Sequence, residues 1–200
     1  MHGSSVQRSC WSEGTNSVSE TERLELPDGV ERVLLSEEQI QKRTRELGEE
    51  LSEHYRGRKP LLVGVLTGAY VFMADLSRAM NIELDVEFMA VSSYGMATET
   101  SGVVRILKDL DTAIEGKDVL IVEDIIDSGL TLKYLLDVLQ RRNPRDIRVV
   151  ALLKKLRDDA VPVPVDYLGF EIPDEFVVGC GLDAGRRYRN LPYVAVVRTD

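Results

Sequence analysis

Apolar residues first recur at helical spacing in "SEEQIQKRTRELGEELSEHYRG", where Ile40, Leu47, Leu51 and Tyr55 share one face. Ser36 followed by Gln39 reads as a capping box at its start, and Gly57 ends it. His54 reads as an ordinary residue of this helix rather than a catalytic one. The pattern then switches to a short apolar run, "PLLVGVLTG", followed by the helical "AYVFMADLSRAM". "IELDVEFMAVSSYG" alternates as a strand does, and "VVRILKDL" resumes one after the small, polar, glycine-bounded "GMATETSG". "DVLIVED" is apolar enough for a strand buried on both faces, "SGLTLKYLLDVLQRR" is a helix stopped near Asn143-Pro144, and "DIRVVALLKK" is a second buried strand. After Pro162 and Pro164 the chain gives short β-rich pieces, "VDYLGFEIPDEFVVGCG" and "YVAVV".

Strands alternating with helices predict an α/β fold, a parallel sheet flanked by helices. The C-terminal pieces, with residues from the N-terminus, predict an appended β-rich lobe. A ligand of such a sheet sits at the carboxyl ends of its strands. The 200 residues suit one domain with a sizeable core.

A net charge of −9 removes electrostatic support for a nucleic-acid backbone, so no nucleic-acid partner is expected. No apolar run approaches membrane-spanning length. Cys10 and Cys180 are too few and too far apart for a disulfide framework, which fits a reducing, cytoplasmic setting. The first residues, rich in Ser, Thr, Gly and Glu, read as a disordered extension, and no role is expected for Cys10 or Trp11.

The chemistry concentrates in "EDIIDSGLT". Ser128, Gly129 and Thr131 begin a helix, where free N–H groups and the macrodipole favour an anion. Gly129 allows close backbone approach, and the hydroxyls add donors. The lysine of a Walker loop is missing, so triphosphate hydrolysis is not indicated. Glu123 and Asp124 suit a pair of sugar hydroxyls, a magnesium ion can offset their charge, and Asp127 is placed to act as a general base. From this turn alone two readings stand: a phosphorylated-sugar site, or a solvated acidic turn of the kind seen in acidic phospho-acceptor domains.

The stretch "VLIVEDIIDSGLT" resembles the phosphoribosyl-pyrophosphate motif of type I phosphoribosyltransferases. "LTGAYVFMADL", "FMAVSSYG", "VVRILKDLD", "LGFEIPDEFVVGCGLD" and "RYRNLPYV" resemble, in order, the hypoxanthine-guanine branch of that family, over Val33 to Val197. The resemblance implies a central parallel sheet flanked by helices with a small β-rich hood. Residues 30–200 would form the domain, with a core over about 36–155, a hood mainly over about 160–200, and residues 1–29 as the extension. It implies transfer of a phosphoribosyl group from phosphoribosyl pyrophosphate to N9 of hypoxanthine or guanine, with magnesium, in a homodimer or homotetramer.

Carried over position by position, the resemblance gives Glu123 and Asp124 the ribose hydroxyls, with metal contact by way of the ribose or water. Asp127 becomes the base for the purine N7 proton, and Asp127, Ser128, Gly129, Leu130 and Thr131 hold the 5′-phosphate. Thr67 and Gly68, after a cis peptide bond, and Arg189 would meet the pyrophosphate. Ser93 and Tyr94 would lead a lid. Lys155 would donate to the purine 6-oxo oxygen, Phe176 would stack on the base, and the Val177 backbone would bond its edge. Asp183 would bind magnesium.

The chain departs from the family pattern at Thr67, usually Lys, Arg or Asn, and in "LLKKL" for "LLDKP", where Lys154 stands beside Lys155 as a competing candidate. It departs again in "VGCGLDA" for "VGYGLDY", where Cys180 and Ala184 remove two rings. These departures motivate a catalytically weakened relative as an alternative, and RNA-binding regulators of the same fold supply another.

Overall fold

In the computed structural model, which describes residues 26–93 and 104–198, two sheets divide the chain. The larger takes β2 (Leu61–Leu66), β3 (Asp85–Ser93), β4 (Val104–Lys108), β5 (Asp118–Ile126), β6 (Asp146–Lys155) and β7 (Tyr167–Ile172) in the order β4-β3-β2-β5-β6-β7. All neighbours are parallel except β3 and β4. The smaller sheet is antiparallel, with β1 (Val30–Leu35), β9 (Val194–Val197) and β8 (Val177–Val178) in the order β1-β9-β8.

Helices α1 (Glu37–His54) and α2 (Tyr70–Ala79) cover one face of the large sheet, and α3 (Leu130–Gln140) covers the other. Ser36 and Gln39 form the reciprocal capping box, and Ile40, Leu47 and Leu51 are buried with Tyr55 behind them. The alternation of β5 shows why its sequence is apolar throughout. Leu120 and Val122 enter the core under α1 and α2, while Val119 and Ile121 meet Leu132, Leu135 and Leu139 of α3. Each side chain leaves water whichever way it points.

The small sheet is no separate body. Val177, Cys180, Leu182, Val194 and Val196 share the core of α1 and α2. Cys180 is a free, buried thiol, pushed up to about 12 by burial, so it is inert packing. Among the described residues no helix is long and apolar enough to cross a membrane.

Two boundaries differ from the sequence expectation. Tyr167–Ile172, expected in the hood, is an edge strand of the large sheet, parallel to β6. Its side chains serve both layers, Tyr167 and Phe170 on one face and Leu168 on the other, and Gly169 lies where a Cβ would stand 2.3 Å from the Leu152 carbonyl oxygen. The crossover from β6 uses residues 156–166 without a helix, which hides the repeat from periodicity. Residues 26–29, expected in the disordered extension, are pinned to the lobe. Tyr188 Oη donates to the Asp28 carbonyl at 2.6 Å, Val30 N donates to that of Pro27 at 3.0 Å, and Leu26 packs on the lobe's core. Residues 1–25 lie outside the described structure.

Candidate active site

Strand order reverses between β2 and β5, and an open α/β sheet forms its ligand crevice at such a reversal, beyond the carboxyl ends of the strands. A cleft of ≈ 290 Å³ opens there, lined by Leu66 at the end of β2 and Gly68 after it, Glu123 to Gly129 and Thr131 from the end of β5 to the start of α3, and Asp183 and Arg189 from the lobe.

The β5–α3 turn carries the anion site. Gly129 has φ 78, the left-handed region, and a Cβ there would lie 2.6 Å from the Val161 carbonyl oxygen. Gly129 supplies no side-chain cap to α3, which leaves first-turn N–H groups to a bound anion. Val161 N donates to the Ser128 carbonyl at 2.9 Å, fixing the turn against the β6–β7 crossover. Ser128 and Thr131 are half-buried, whereas Leu130 is exposed and contributes through its backbone alone.

Facing this turn, the Leu66–Thr67 peptide bond is cis. The Thr67 side chain is exposed while Leu66 and Gly68 line the cleft, so whatever this turn offers a ligand comes from its backbone. A Cβ at Gly68 would stand 1.5 Å from Asp124 Oδ2, and one at Gly181 would stand 2.0 Å from the Gly68 carbonyl oxygen. Three segments therefore meet at a separation only glycine permits.

The acids divide by environment. Glu123 is buried, and its carboxyl is pushed well above the usual range, first by burial and then by Asp124. Asp124 is pushed up to about 6 by burial, and Asp183 adds to the rise. The Ile125 N–H, bonded at 2.9 Å, and the Arg189 charge oppose it. Asp183 is held by the Arg186 N–H at 2.6 Å and by Arg189 at 2.5 Å, and Arg189 also donates to the Gly181 carbonyl at 2.6 Å.

The lining thus holds four carboxylates, Glu123, Asp124, Asp127 and Asp183, against one guanidinium, Arg189. Among the described residues no group of three or more His, Cys, Asp or Glu side chains forms a metal cage. Such a donor set fits a magnesium ion that keeps most of its water and takes oxygens from a bound phosphate compound, with Asp183, Glu123 and Asp124 as the acids within reach.

Asp127 belongs to a second network. Lys155 Nζ lies 3.1 Å from Asp127 Oδ2 and 3.2 Å from Asp174 Oδ1, and Arg157 Nη1 lies 3.0 Å from Asp127 Oδ1. Lys155, not Lys154, is therefore the lysine joined to the site. Asp174 and Arg157 escape the sequence reading, since they matter through partners set by tertiary structure: Asp174 through Lys155, 19 positions away, and Arg157 through Asp127, 30 positions away. Phe176 and Val177 do not line the cleft: Phe176 is half-exposed on the lobe, and Val177 pairs with Val196. Ser93 pairs with Val104 where β3 and β4 meet the expected lid, whose Tyr94 and residues up to 103 lie outside the described structure.

Comparison with known proteins agrees with this geometry. The family model for the phosphoribosyl transferase domain matches residues 33–184. The hypoxanthine-guanine phosphoribosyltransferase of Bacillus subtilis is 53% identical over 169 residues, covering 84% of this chain and 94% of that protein. A crystal structure of a Staphylococcus aureus hypoxanthine phosphoribosyltransferase superposes with a TM-score of 0.81 at 45% identity, covering 85% of this chain and 92% of that one. The Trypanosoma cruzi hypoxanthine phosphoribosyltransferase, solved in complex with the product IMP, gives 0.78 at 40% identity, covering 86% and 96%. With its acids and anion-binding turn gathered at the strand reversal of such a fold, the chain belongs to the phosphoribosyl transferase domain family.

Proposed function

We propose that the protein is a purine-salvage enzyme, which transfers the 5-phosphoribosyl group of phosphoribosyl pyrophosphate to N9 of hypoxanthine or guanine. IMP or GMP and pyrophosphate leave as products. The observation that carries this is the meeting, in one cleft, of an uncapped helix N-terminus, a buried acid pair and an acid joined to a half-buried lysine.

The α3 turn, Ser128 to Thr131 with the Asp127 backbone, holds the 5′-phosphate. Glu123 and Asp124 accept hydrogen bonds from the ribose hydroxyls, which favours their ionised form over the protonated form that burial prefers. The Thr67–Gly68 backbone and Arg189 face the pyrophosphate. Magnesium, when bound, offsets charge on the departing pyrophosphate.

The C1′–oxygen bond to pyrophosphate breaks with both electrons staying on that oxygen, and the N9 lone pair forms the new bond to C1′. Asp127 takes the purine's N7 proton as that bond forms, which leaves a neutral nucleotide base. Lys155 donates to the 6-oxo oxygen. Adenine offers an amino group there and leaves two donors facing each other, so it is rejected. Phe176 and the Val177 backbone, which lie outside the cleft lining, are the lobe's candidates for stacking on the base and bonding its edge. The protein works in the cytoplasm as a homodimer or homotetramer; a single-chain mass by light scattering at micromolar concentration rejects the assembly.

The deciding experiment is a spectrophotometric assay with magnesium, phosphoribosyl pyrophosphate and each of hypoxanthine, guanine, xanthine and adenine, beside Asp127→Asn. Turnover of 6-oxopurines but not adenine is expected, with a loss of about 10²–10⁴-fold in the variant, the range of a general base. An unaffected variant removes Asp127 from the proton transfer. No turnover with any base rejects the function.

A further inference from the structure

Asp127 is gripped by more cation than proton transfer alone explains. Lys155 bridges Asp127 and Asp174 at 3.1 and 3.2 Å. Arg157 Nη1 bridges the same two carboxylates, 3.0 Å from Asp127 Oδ1 and 3.3 Å from Asp174 Oδ2. The other edge of the guanidinium, Nε and Nη2, makes a two-pronged bond to Asp159 at 2.9 and 3.0 Å. Two cations and two carboxylates therefore close into a ring, and Asp159 clamps one corner from outside.

The backbone explains how Arg157 gets there. Leu156 stands where the family pattern has proline, and its N–H donates to the Ile172 carbonyl at 2.9 Å. Proline has no such donor. This bond extends the β6–β7 pairing by one residue and sets the direction in which the chain carries Arg157 over the end of β5.

The two cations differ in position. The Lys155 side chain is 10% exposed and that of Arg157 is 27%, so the lysine is the inner member. An ammonium alone between two carboxylates is held by both, and turning it to a third acceptor weakens both pairs. With Arg157 in the ring each carboxylate keeps a second charge-assisted donor when the lysine turns. We propose that Arg157 is a positioning residue for the base: clamped by Asp159, it compensates Asp127 and Asp174 so that the Lys155 ammonium is available to the 6-oxo oxygen of a purine. This inference rests on the 6-oxopurine reading above.

Steady-state kinetics of Arg157→Gln, Arg157→Lys and Asp159→Asn against wild type test it, with each substrate varied in turn and thermal unfolding followed in parallel. In Arg157→Gln the KM for hypoxanthine and guanine rises about tenfold, the scale of one charge-assisted hydrogen bond. The KM for phosphoribosyl pyrophosphate stays at the wild-type value. Arg157→Lys recovers part of the loss, because an ammonium meets two carboxylates but cannot also fork onto Asp159. Asp159→Asn falls between wild type and Arg157→Gln; its side chain is 72% exposed, so it tests the clamp even if Arg157→Gln does not fold.

An unchanged base KM in Arg157→Gln or, failing that variant, in Asp159→Asn overturns the inference. So does an equal rise in both KM values, which marks a general structural fault, or an Arg157→Lys variant no better than Arg157→Gln. Wild type inactive with every 6-oxopurine instead overturns the parent reading and this inference with it, whereas active wild type with an indifferent Arg157→Gln overturns this inference alone.

Discussion

Strand β5 buries two carboxylates, Asp118 at its start and Glu123 in its carboxyl half, and the fold treats the two in opposite ways. At its start the Asp118 side chain is fully buried and bonded on both oxygens by Arg145, with Nε to Oδ1 at 2.8 Å, while Arg58 lies 3.6 Å away. These partners hold its carboxyl below the usual range. Five residues on, Glu123 is buried beside another acid, and its carboxyl is pushed up. The amino end of the strand is thus neutralised within the protein. Toward the carboxyl end Glu123 has no cationic partner among the described residues, which a fold tolerates where a ligand completes the site. Burial of an acid is therefore no sign of function by itself; burial without a cationic partner among the described residues is.

Exchanging each acid for its amide breaks this comparison most directly. Glu123→Gln is expected to cut turnover at fixed, subsaturating phosphoribosyl pyrophosphate about 100-fold, the scale of a lost hydrogen bond to a charged group or two. Its midpoint in urea should hold or rise, because a like-charge contact is relieved. A lowered midpoint would place Glu123 among the structural acids. Asp118→Asn is expected to do the reverse, with unfolding free energy down by about 2 kcal/mol and turnover per folded molecule unchanged. Lost activity without lost stability would remove the contrast.

The smallest effect is in pH. A lowered folded pKa means that the stability from Asp118 is present above its unfolded value near 3.8 and disappears as pH falls through the lower folded value. Asp124, pushed up to about 6, acts oppositely: the folded state binds the extra proton, so stability falls as pH rises from near 3.8 to about 6. Urea unfolding across that window should show a shallower fall in Asp124→Asn. Identical slopes would mean that Asp124 ionises in the fold as it does in the unfolded chain.

The α/β alternation, the capping box and the buried β5 and β6 were legible because each is local: a period, a cap or an apolar run states its own environment. The acids of "EDIIDSGLT" were legible as a cluster because one turn presents them together. Tyr167–Ile172 reads as hood from the sequence, since β6 and β7 pair without the helix whose period marks a βα repeat. Residues 26–29 read as extension because what holds them is Tyr188, far along the chain. Arg157 and Asp174 are silent in the sequence for the same reason.

The α/β alternation and the acidic turn are written in the chain, because hydrophobic periodicity and residue chemistry are properties of neighbours, and the family is carried by its motifs. Tertiary structure decided which acid has a partner. Pairing of Asp118 with Arg145 and closure of the ring through Asp127, Lys155, Asp174 and Arg157 join residues from different elements. Charge interactions at three ångströms depend on where strands end and crossovers return, and no spacing along the chain encodes that distance.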